Sequence, residues 1–402
     1  MDIVINGCGV AGPALAFWLL RAGHKVLLLE EASALRSGGY IIDFWGVGYD
    51  LAEKMGLIGE IRRMGYQMRA VRLVDGSGRT RGGFDISVFG RLTHDRFTSL
   101  RRSDVSGAIY RAIEGRVEMR FGDSVAGLTE QPDGVLVTFD HGPPRRADLV
   151  IGADGLHSRI RRLAFGPDAQ FEHALGYHVA ALEVPGYRPR DELVYVSHGM
   201  PGRQVARFAM RDDRTLLLFI MRDEHVGAGD PKTVLRRAFR DSGVEWPQIE
   251  QALDSTNELY YDTVSQIRMD RWTRGRIALI GDAAACVSLM AGEGTGLAMA
   301  EAYVLAGELN TCGGDYAAAF ARYERRLQPL LKKKQQAAVQ FASSFAPKTR
   351  LGIAFRNVMT RMMDLPFVAE FFIGRSLRDD IELPDYDSAG AQEGTGVPLR
   401  AG

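Results

Sequence analysis

The sequence predicts a mixed α/β fold, with a parallel-sheet domain, a second domain built on a mixed sheet, and helices towards the C-terminus. Three observations lead to this prediction. The first thirty residues follow the order strand, glycine turn, helix and strand, residues 170–272 contain short segments of alternating apolar and polar side chains, and residues 316–340 have helical periodicity. A chain of 402 residues is too long for one compact core and long enough for two domains.

The composition excludes several classes of partner. Fifty Lys and Arg residues balance fifty Asp and Glu residues, so charge gives no reason to expect nucleic acid or an anionic membrane surface. The three cysteines are too few and too scattered for a disulfide framework or a metal site. The N-terminus does not resemble a signal peptide, and every apolar run ends well short of the ~20 residues that a membrane helix needs. We therefore expect a cytoplasmic protein with no metal and no membrane span.

The first glycine-rich turn predicts a dinucleotide-binding site. It follows the strand at residues 2–6 and has glycine at its first, third and sixth positions. The first glycine permits a tight bend, the second lets the backbone approach a pyrophosphate, and the third lets the next helix pack against the strand. The start of that helix would bind the pyrophosphate, and the acid that ends the second strand would bind a ribose. These positions are Gly7, Gly9, Gly12, Pro13, Ala14 and Glu30. The pattern leaves open whether the dinucleotide is NAD or FAD.

Two later strands also run into glycine-containing turns. Segment 147–155 is a strand that ends in an Asp-Gly turn, and segment 276–282 is a strand that ends in Gly-Asp. A glycine-rich loop and a helix from residue 297 follow within residues 291–309. Because loops at the carboxyl ends of parallel strands meet at the ligand crevice, we expect these segments to lie beside the first turn.

Taken together, the three glycine motifs, in this order and spacing, resemble those of the flavin-dependent aromatic hydroxylases of the para-hydroxybenzoate hydroxylase type. The resemblance is closer to the short, tetracycline-inactivating members of that group, and it covers about residues 1–330. It implies a Rossmann-like FAD-binding domain that holds FAD non-covalently beneath a mixed-sheet substrate domain. It also implies a single-component monooxygenase. In such an enzyme NAD(P)H reduces the flavin, O2 forms a C4a-hydroperoxide, and an aromatic or polycyclic natural-product-like substrate is hydroxylated.

The same resemblance implies a division into domains. The FAD-binding domain would comprise residues 1–75, 100–170 and 273–313, the substrate domain residues 76–99 and 171–272, the C-terminal helices residues 314–387, and a loose tail residues 388–402. We expect a monomer or a homodimer that acts on a small molecule.

The resemblance assigns cofactor contacts along the whole FAD-binding domain. The first glycine turn and Glu30 would hold the ADP part of FAD. Asp154 with Gly155 would serve the flavin and the nicotinamide nucleotide, and Asp282 would hold the ribityl and pyrophosphate region. Further implied contacts are Glu31, Arg36, Asp43, Arg102, Val125, Gly292, Gly294 and Thr295. The helix N-terminus behind the last glycine loop would favour the anionic reduced flavin by about 0.3–2 kcal/mol.

Alternatives to these assignments remain open. Asp282 also suits a helix cap, and Arg102 also suits a plain surface position. The chain departs from the family just after Asp282, because Ala285, Ser288 and Leu289 stand where relatives usually carry a histidine and two prolines. This departure leaves flavin binding intact. It keeps open a dehydrogenase, reductase or cyclase on the same fold, or a binding protein that has lost turnover.

Apolar residues of the middle segment are candidate substrate contacts. They are Phe208, Met210, Phe219 and Met221 on two expected strands, and Met290 beside the last glycine loop. The same alternation is typical of ordinary core residues. No histidine is paired with a second catalytic group, so no catalytic residue is identified beyond the flavin. For residues 341–373 we expect packing across the flavin domain rather than an anchor at a membrane surface.

Overall fold

The computed structural model describes residues 1–35, 40–256, 258–288, 292–364 and 381–386. The strands are β1 (Asp2–Asn6), β2 (Lys25–Glu30), β3 (Ile41–Trp45), β4 (Ala70–Val74), β5 (Thr80–Asp85), β6 (Phe97–Arg101), β7 (Glu118–Phe121), β8 (Val125–Gln131), β9 (Gly134–Phe139), β10 (Arg145–Ala147), β11 (Leu149–Gly152), β12 (Glu172–Pro185), β13 (Val194–Met200), β14 (Arg203–Ala209), β15 (Arg214–Arg222), β16 (Tyr260–Ile267), β17 (Thr273–Arg274) and β18 (Ile277–Leu279). The helices are α1 (Ala11–Arg21), α2 (Gly46–Lys54), α3 (Ile58–Met64), α4 (Ser87–Thr93), α5 (Arg102–Ile113), α6 (Arg159–Ala164), α7 (Pro231–Phe239), α8 (Trp246–Ser255), α9 (Asp282–Ala285), α10 (Gly294–Thr311), α11 (Tyr316–Phe345) and α12 (Arg350–Met362).

A six-stranded sheet of order β17-β18-β11-β1-β2-β7 forms the centre of the first domain. The pairs from β18 to β7 are parallel, while β17 is antiparallel to β18. The side chains of Ile3, Val4 and Ile5 in β1 are fully buried, as expected for a strand covered on both faces. Helix α1 packs against α5 and α10, and the three-stranded sheet β10-β9-β8 contacts β1 and β11. The predicted parallel-sheet domain is therefore confirmed.

A seven-stranded sheet of order β16-β12-β15-β14-β13-β4-β5 forms the second domain. Its neighbouring strands are antiparallel apart from the parallel pair β13–β4, so the prediction of a mixed sheet is confirmed. Helices α7 and α8 cover one face, where Leu217, Leu235 and Leu253 are fully buried. Since β4 begins at Ala70 and lies in this sheet, the sheet starts earlier in the chain than residue 76.

Helix α10 begins at Gly294, three residues before the expected start at residue 297. It crosses α2 at a very short distance, because a Cβ on Gly48 would lie 2.8 Å from the Cα of Gly296. Only a residue without a side chain permits this approach on both helices. The crossing fixes the first turn of α10 against the two-stranded sheet that carries α2.

The C-terminal helices pack on different domains, and α12 lies on the seven-stranded sheet rather than across the flavin domain, where residues 341–373 were expected to pack. Helix α11 runs along α10 and includes Pro329, and α12 lies against β5, where the N–H of Gly83 donates to Thr360 Oγ1 at 3.2 Å. Residues 381–386 return to α10, where the Tyr386 hydroxyl donates to Glu308 at 2.7 Å. Within the described part of the chain, no helix combines the length and the apolar character needed to cross a bilayer.

A buried carboxyl joins α10 and α11 to the end of β18. Glu301 on α10 is 2% exposed, and its Oε2 accepts from the N–H of Gly281 at 2.8 Å. The Tyr323 hydroxyl lies 3.0 Å from this oxygen and also 3.0 Å from the carbonyl of Leu279. One hydroxyl proton cannot serve both acceptors, so the contact is complete when Glu301 is itself protonated. Burial favours that form and raises the pKa of Glu301 to about 8.

We expect Glu301→Gln to remove a pH dependence of stability. The folded protein keeps the Glu301 proton up to about pH 8, whereas the unfolded chain releases it near pH 4–5. Stability should therefore fall as pH rises through this window, by on the order of 1–3 kcal/mol between pH 5.5 and 8.5. Urea unfolding at the two pH values measures the loss, and the exposed Glu114→Gln is the control. Parallel pH profiles for the wild type and Glu301→Gln would contradict this assignment.

Candidate cofactor-binding site

A cavity of about 1050 Å³ lies between the carboxyl ends of the parallel strands and the nearer edge of the seven-stranded sheet. Its walls include the first glycine turn, the end of β2, the start of α5, the loop after β11 and the ends of β12 and β15. The volume exceeds the few hundred Å³ of an ordinary small-ligand pocket. The first two glycine motifs are thus brought to one cavity, and the third lies beside it.

The three glycines of the first turn have different roles in this wall. Gly7 has φ +110°, and a Cβ there would overlap the carbonyl of Ala153. A Cβ on Gly12 would overlap the carbonyl of Gly7. At Gly9, by contrast, the nearest atom is a guanidinium nitrogen of Arg102, 3.8 Å from a Cβ position. Gly7 and Gly12 therefore bring α1 close to the strands, while Gly9 leaves its backbone open to the cavity.

The start of α1 offers backbone donors to the cavity. Val10 stands at its N-cap, and no side chain caps the helix. Unsatisfied N–H groups of the first turn are an anion-binding site. Pro13 has no N–H, however, and the N–H of Ala14 already donates to the carbonyl of Val10 at 3.1 Å. These two residues therefore contribute packing in α1 rather than donors.

Glu30 braces the glycine turn as well as lining the cavity. Its Oε2 accepts from the N–H of Cys8 at 3.0 Å, and its Oε1 accepts from the N–H of Ala32 at 3.1 Å. Glu31 points away from this contact, is 71% exposed, and pairs with Arg159 at 3.7 Å. Glu30 therefore lies in the cavity wall, where the sequence predicted the ribose contact, and Glu31 lies at the rim.

Asp154 is used mainly to join the strands to α6. Its Oδ2 accepts from Asn6 Nδ2 at 2.9 Å and from the N–H of Arg159 at 2.8 Å, and its Oδ1 accepts from the Ser158 hydroxyl. Gly155 has φ +77° and faces open space in the cavity. Val125 is fully buried, so its neighbour Ser124 lines the cavity instead.

Arg102 and Asp282 face each other across the middle of the site. Arg102 opens α5, and its Nη2 lies 4.0 Å from Asp282 Oδ2. Asp282 lies in the first turn of α9, whose N-cap is Gly281, so the alternative role of Asp282 as an N-cap is not what the structure shows. Gly294 lies beside the carboxylate, with a Cβ position 3.9 Å from Asp282 Oδ1. The Arg102 guanidinium, the Asp282 carboxylate and the N-terminus of α10 therefore lie close together.

The last glycine loop leads into α10 from the same side. Gly292 has φ +70° with open space around it, and Glu293 is the N-cap of α10 without a side-chain cap. Thr295 is buried in the first turn. Residues 289–291, including the candidate Met290, and residues 36–39, including the candidate Arg36, lie outside the described residues.

Asp43 belongs to a neighbouring pocket rather than to the dinucleotide cavity. Its Oδ1 accepts from the Ser99 hydroxyl at 2.6 Å between β3 and β6. It lines a small pocket together with Gly292 and Leu297. The surrounding protein desolvates the carboxylate and raises the pKa of Asp43, although the Ser99 hydrogen bond opposes this shift. Asp43 therefore lies next to the N-terminus of α10 and does not line the dinucleotide cavity.

The expectation that four sheet residues share one pocket is wrong for two of them. Phe219 and Met221 are fully buried under α7 and α8, and the Phe219 ring meets Phe239 edge-on at 5.1 Å between centroids. Phe208 and Met210 lie on the opposite face, which is turned towards the first domain. Strand alternation alone cannot separate these faces, because helices or the other domain cover both of them.

Two tyrosines of the cavity have no signature in the sequence. Tyr40 and Tyr260 line its wall beside Arg102, with ring centroids 6.2 Å apart. Burial raises the pKa of Tyr40 to about 12, although Arg102 lowers it. Desolvation also raises the pKa of Tyr260. Both hydroxyls therefore remain neutral donors at ordinary pH.

The residues that line the cavity suit FAD. The start of α1 and Arg102 match an anionic pyrophosphate, and Glu30 matches a ribose. At the far end, Ala181 and Leu216 provide apolar contacts for a flat ring. No group of three or more metal-ligating side chains occurs among the described residues.

Comparisons with known proteins agree with this geometry. The model of a family described as FAD binding domain matches residues 1–329. An uncharacterised protein of Mycobacterium tuberculosis is 36% identical over 340 residues, covering 83% of this chain and 91% of that protein. A flavin-dependent monooxygenase from an unknown prokaryotic organism is 34% identical over 397 residues, covering 96% of this chain and 99% of that protein.

Solved structures give the same result. The crystal structure of tetracycline destructase Tet(55) superimposes with a TM-score of 0.82 at 31% identity, covering 96% of this chain and 98% of that structure. The fold, the cavity and the sequence similarity lead to one conclusion: the chain belongs to the FAD-binding domain family and, within it, to the flavin-dependent monooxygenases.

Proposed function

We propose that this enzyme uses NAD(P)H and O2 to hydroxylate an aromatic or polycyclic natural-product-like substrate. The observation that carries the proposal is the continuity of the cavity, which runs from the dinucleotide crevice at Gly9 and Glu30 to the sheet at Ala181 and Leu216. A flavin bound along it would have its ring next to the sheet that covers the site. The relatives named as monooxygenases support the same reaction class.

The bound flavin supplies the redox chemistry, since it accepts a hydride from a reduced nicotinamide and, once reduced, activates O2. The protein contributes position and electrostatics. Arg102 and the N-terminus of α10 place positive charge beside the middle of the site, where it favours the anionic form of the cofactor. The neutral hydroxyl of Tyr40 adds a donor at the same wall, while the Tyr260 hydroxyl donates to Asp262.

The sheet favours an apolar, aromatic substrate. Phe208 and Met210 lie on the face turned towards the first domain, packed with Tyr66. Tyr195 and Leu218 on this face are only partly buried, so they offer contact area that a flat substrate would cover. A substrate of the polycyclic class also agrees with the structural likeness to a tetracycline destructase.

The described residues of the cavity provide no evident general base. His157 lines the rim, but its Nε2 lies 3.5 Å from Asp262 at the surface. The arrangement agrees with chemistry carried by the cofactor and not by a side-chain triad. Asp154 and Gly155 lie where a nicotinamide nucleotide could approach the flavin, and we propose this loop as its first contact.

A dehydrogenase, reductase or cyclase is the second candidate function. The observation in its favour is the end of α9 and the segment after it, where Ala285 and Ser288 are buried and Ser288 has φ +147°, which L residues rarely adopt. This segment differs from that of typical relatives beside the site. The two candidates bind the same cofactor and differ in what the reduced cofactor does with O2.

We expect the purified protein to show flavin absorbance bands that bleach under anaerobic NAD(P)H and return on addition of air. With a suitable phenol or polycyclic compound, one oxygen atom of 18O2 should enter the product, which mass spectrometry detects. If the flavin reoxidises and every reducing equivalent appears as hydrogen peroxide across a broad substrate panel, the dehydrogenase candidate replaces the monooxygenase. A protein that binds no FAD would overturn both.

Arg102→Met should weaken FAD binding roughly tenfold to a hundredfold, because a charge-assisted contact to an anionic group contributes about 1.5–3 kcal/mol. Isothermal titration of the apoprotein with FAD measures the dissociation constant. Arg111→Met is the matched control, since Arg111 lies on the same helix and pairs with Glu60 at 2.6 Å on the surface. Equal affinity for the wild type and Arg102→Met would exclude Arg102 from the cofactor site.

A further inference from the structure

Two buried glutamines hold the backbone that follows α9. Gln266 on β16 is fully buried, and its Nε2 donates to the carbonyl of Val287 at 2.7 Å and to the backbone carbonyl of Gln335 at 2.8 Å. Gln335 on α11 is 6% exposed, and its Nε2 donates to the carbonyls of Ile267 at 2.7 Å and Cys286 at 3.0 Å. Both amide nitrogens are therefore fully engaged with the backbone. We call Gln266 and Gln335 the amide clamp.

The clamp is completed by a cation just after the end of β16. Arg268 donates from Nε and Nη2 to Gln266 Oε1, at 3.0 and 2.7 Å. This contact fixes the orientation of the Gln266 amide, because the oxygen must face the guanidinium. A buried amide with its donors and acceptor all satisfied is rigid, and a partly satisfied one is costly. The Cys286–Val287 backbone is therefore held in one position.

The held backbone lies directly behind the cofactor site. The N–H of Ile267 also donates to the carbonyl of Cys286 at 3.2 Å, so this carbonyl faces away from the cavity. The Cys286 thiol donates to the carbonyl of Ser265 on β16 at 3.6 Å and also lies close to Asp282, and burial together with that carboxylate raises the pKa of the thiol. A displacement of Cys286 would thus be transmitted to Asp282 and to its partner Arg102.

The same helix also holds the start of α10. Lys334, which precedes Gln335, forms an ion pair with Glu293 at 2.8 Å, and both side chains are largely buried. Glu293 is the N-cap of α10, whose first turn lies beside Asp282. Two consecutive residues of α11 thus hold the two backbone segments that place a carboxylate and a helix N-terminus at the flavin site. Ser288, with its unfavourable φ, follows immediately after the clamped segment.

We propose that Gln335 and Gln266 are positioning residues that set the reduction potential of the bound flavin by fixing the N-terminus of α10 relative to Asp282. The inference rests on the proposed redox function. The field of a helix N-terminus stabilises negative charge only within about one turn, so a small displacement weakens its effect on the reduced, anionic cofactor. Loosening the clamp should therefore make the reduction potential more negative.

The test compares Gln335→Met with Gln328→Met in the full-length holoenzyme. Methionine keeps the length of the side chain and removes its donors. Gln328 is the matched control because it lies on α11 and donates to the carbonyl of Asp270 at 2.8 Å on the exposed side. In Gln335→Met we expect reduced FAD to lose two- to fivefold more affinity than oxidised FAD. For a two-electron couple this corresponds to about 10–20 mV. Redox titration against a reference dye measures it.

Gln266→Met should shift the potential in the same direction, and the double variant should be less than additive, since both substitutions open one clamp. If Gln335→Met does not fold, Lys334→Met tests the second contact of α11, with the same expected sign. An unchanged potential in variants whose melting temperature falls would overturn the proposal and leave the clamp a purely structural contact. The titration requires FAD but no substrate, so a failure of hydroxylation does not affect its outcome.

Discussion

The site depends on a backbone contact that no side chain could replace. Gly12 of α1 touches the carbonyl of Gly7, and Gly7 in turn lies against Ala153 at the end of β11, with no space for a Cβ at either glycine. These contacts bring a helix N-terminus and two strand ends within reach of one ligand. Glu30 then fixes the turn through the N–H of Cys8. The main chain therefore forms part of the cofactor-binding surface by itself, and charged side chains add to it.

The charges around this backbone are arranged so that the site remains receptive to an anion. Arg102 and the N-terminus of α10 lie beside the carboxylate of Asp282. Glu301 contacts the residue before Asp282, because its carboxyl accepts from the N–H of Gly281 at 2.8 Å. Because burial keeps Glu301 protonated up to about pH 8, it adds a hydrogen-bonding partner without adding a second negative charge. The protonation state of Glu301 therefore affects both the stability of the fold and the charge near the cofactor.

The sequence was sufficient where function depends on local backbone requirements. The positions of Gly7, Gly12 and Asp282 follow from short motifs, because each requires a particular residue type at a particular distance from a strand. The sequence was insufficient to assign side chains to the two faces of the seven-stranded sheet. Phe219 and Phe208 have the same character and the same strand environment, and only the packing of α7 and α8 assigns them to opposite faces.

The amide clamp also could not be predicted from the sequence, but for a different reason. Gln266 and Gln335 are separated by 69 positions along the chain, and a glutamine in a long amphipathic helix is normally taken as a surface residue. Its burial follows from the backbone carbonyls of Cys286 and Val287, which accept from the amide nitrogens of Gln335 and Gln266. The segment that follows α9 is thus held by side chains contributed from distant elements.

The two domains differ in whether main-chain contacts or side chains form their part of the site. The cofactor half is fixed by main-chain contacts and tolerates little change at Gly7, Gly12 or Gly48. The sheet half presents side chains, where Tyr195 lies beside Gln204, and Gln204 accepts from Arg356 of α12 at 2.9 Å. Substitutions on this face alter shape and polarity without disturbing the backbone that holds FAD. Under the proposed function, substrate choice would therefore change through the sheet and α12 while the redox centre is preserved.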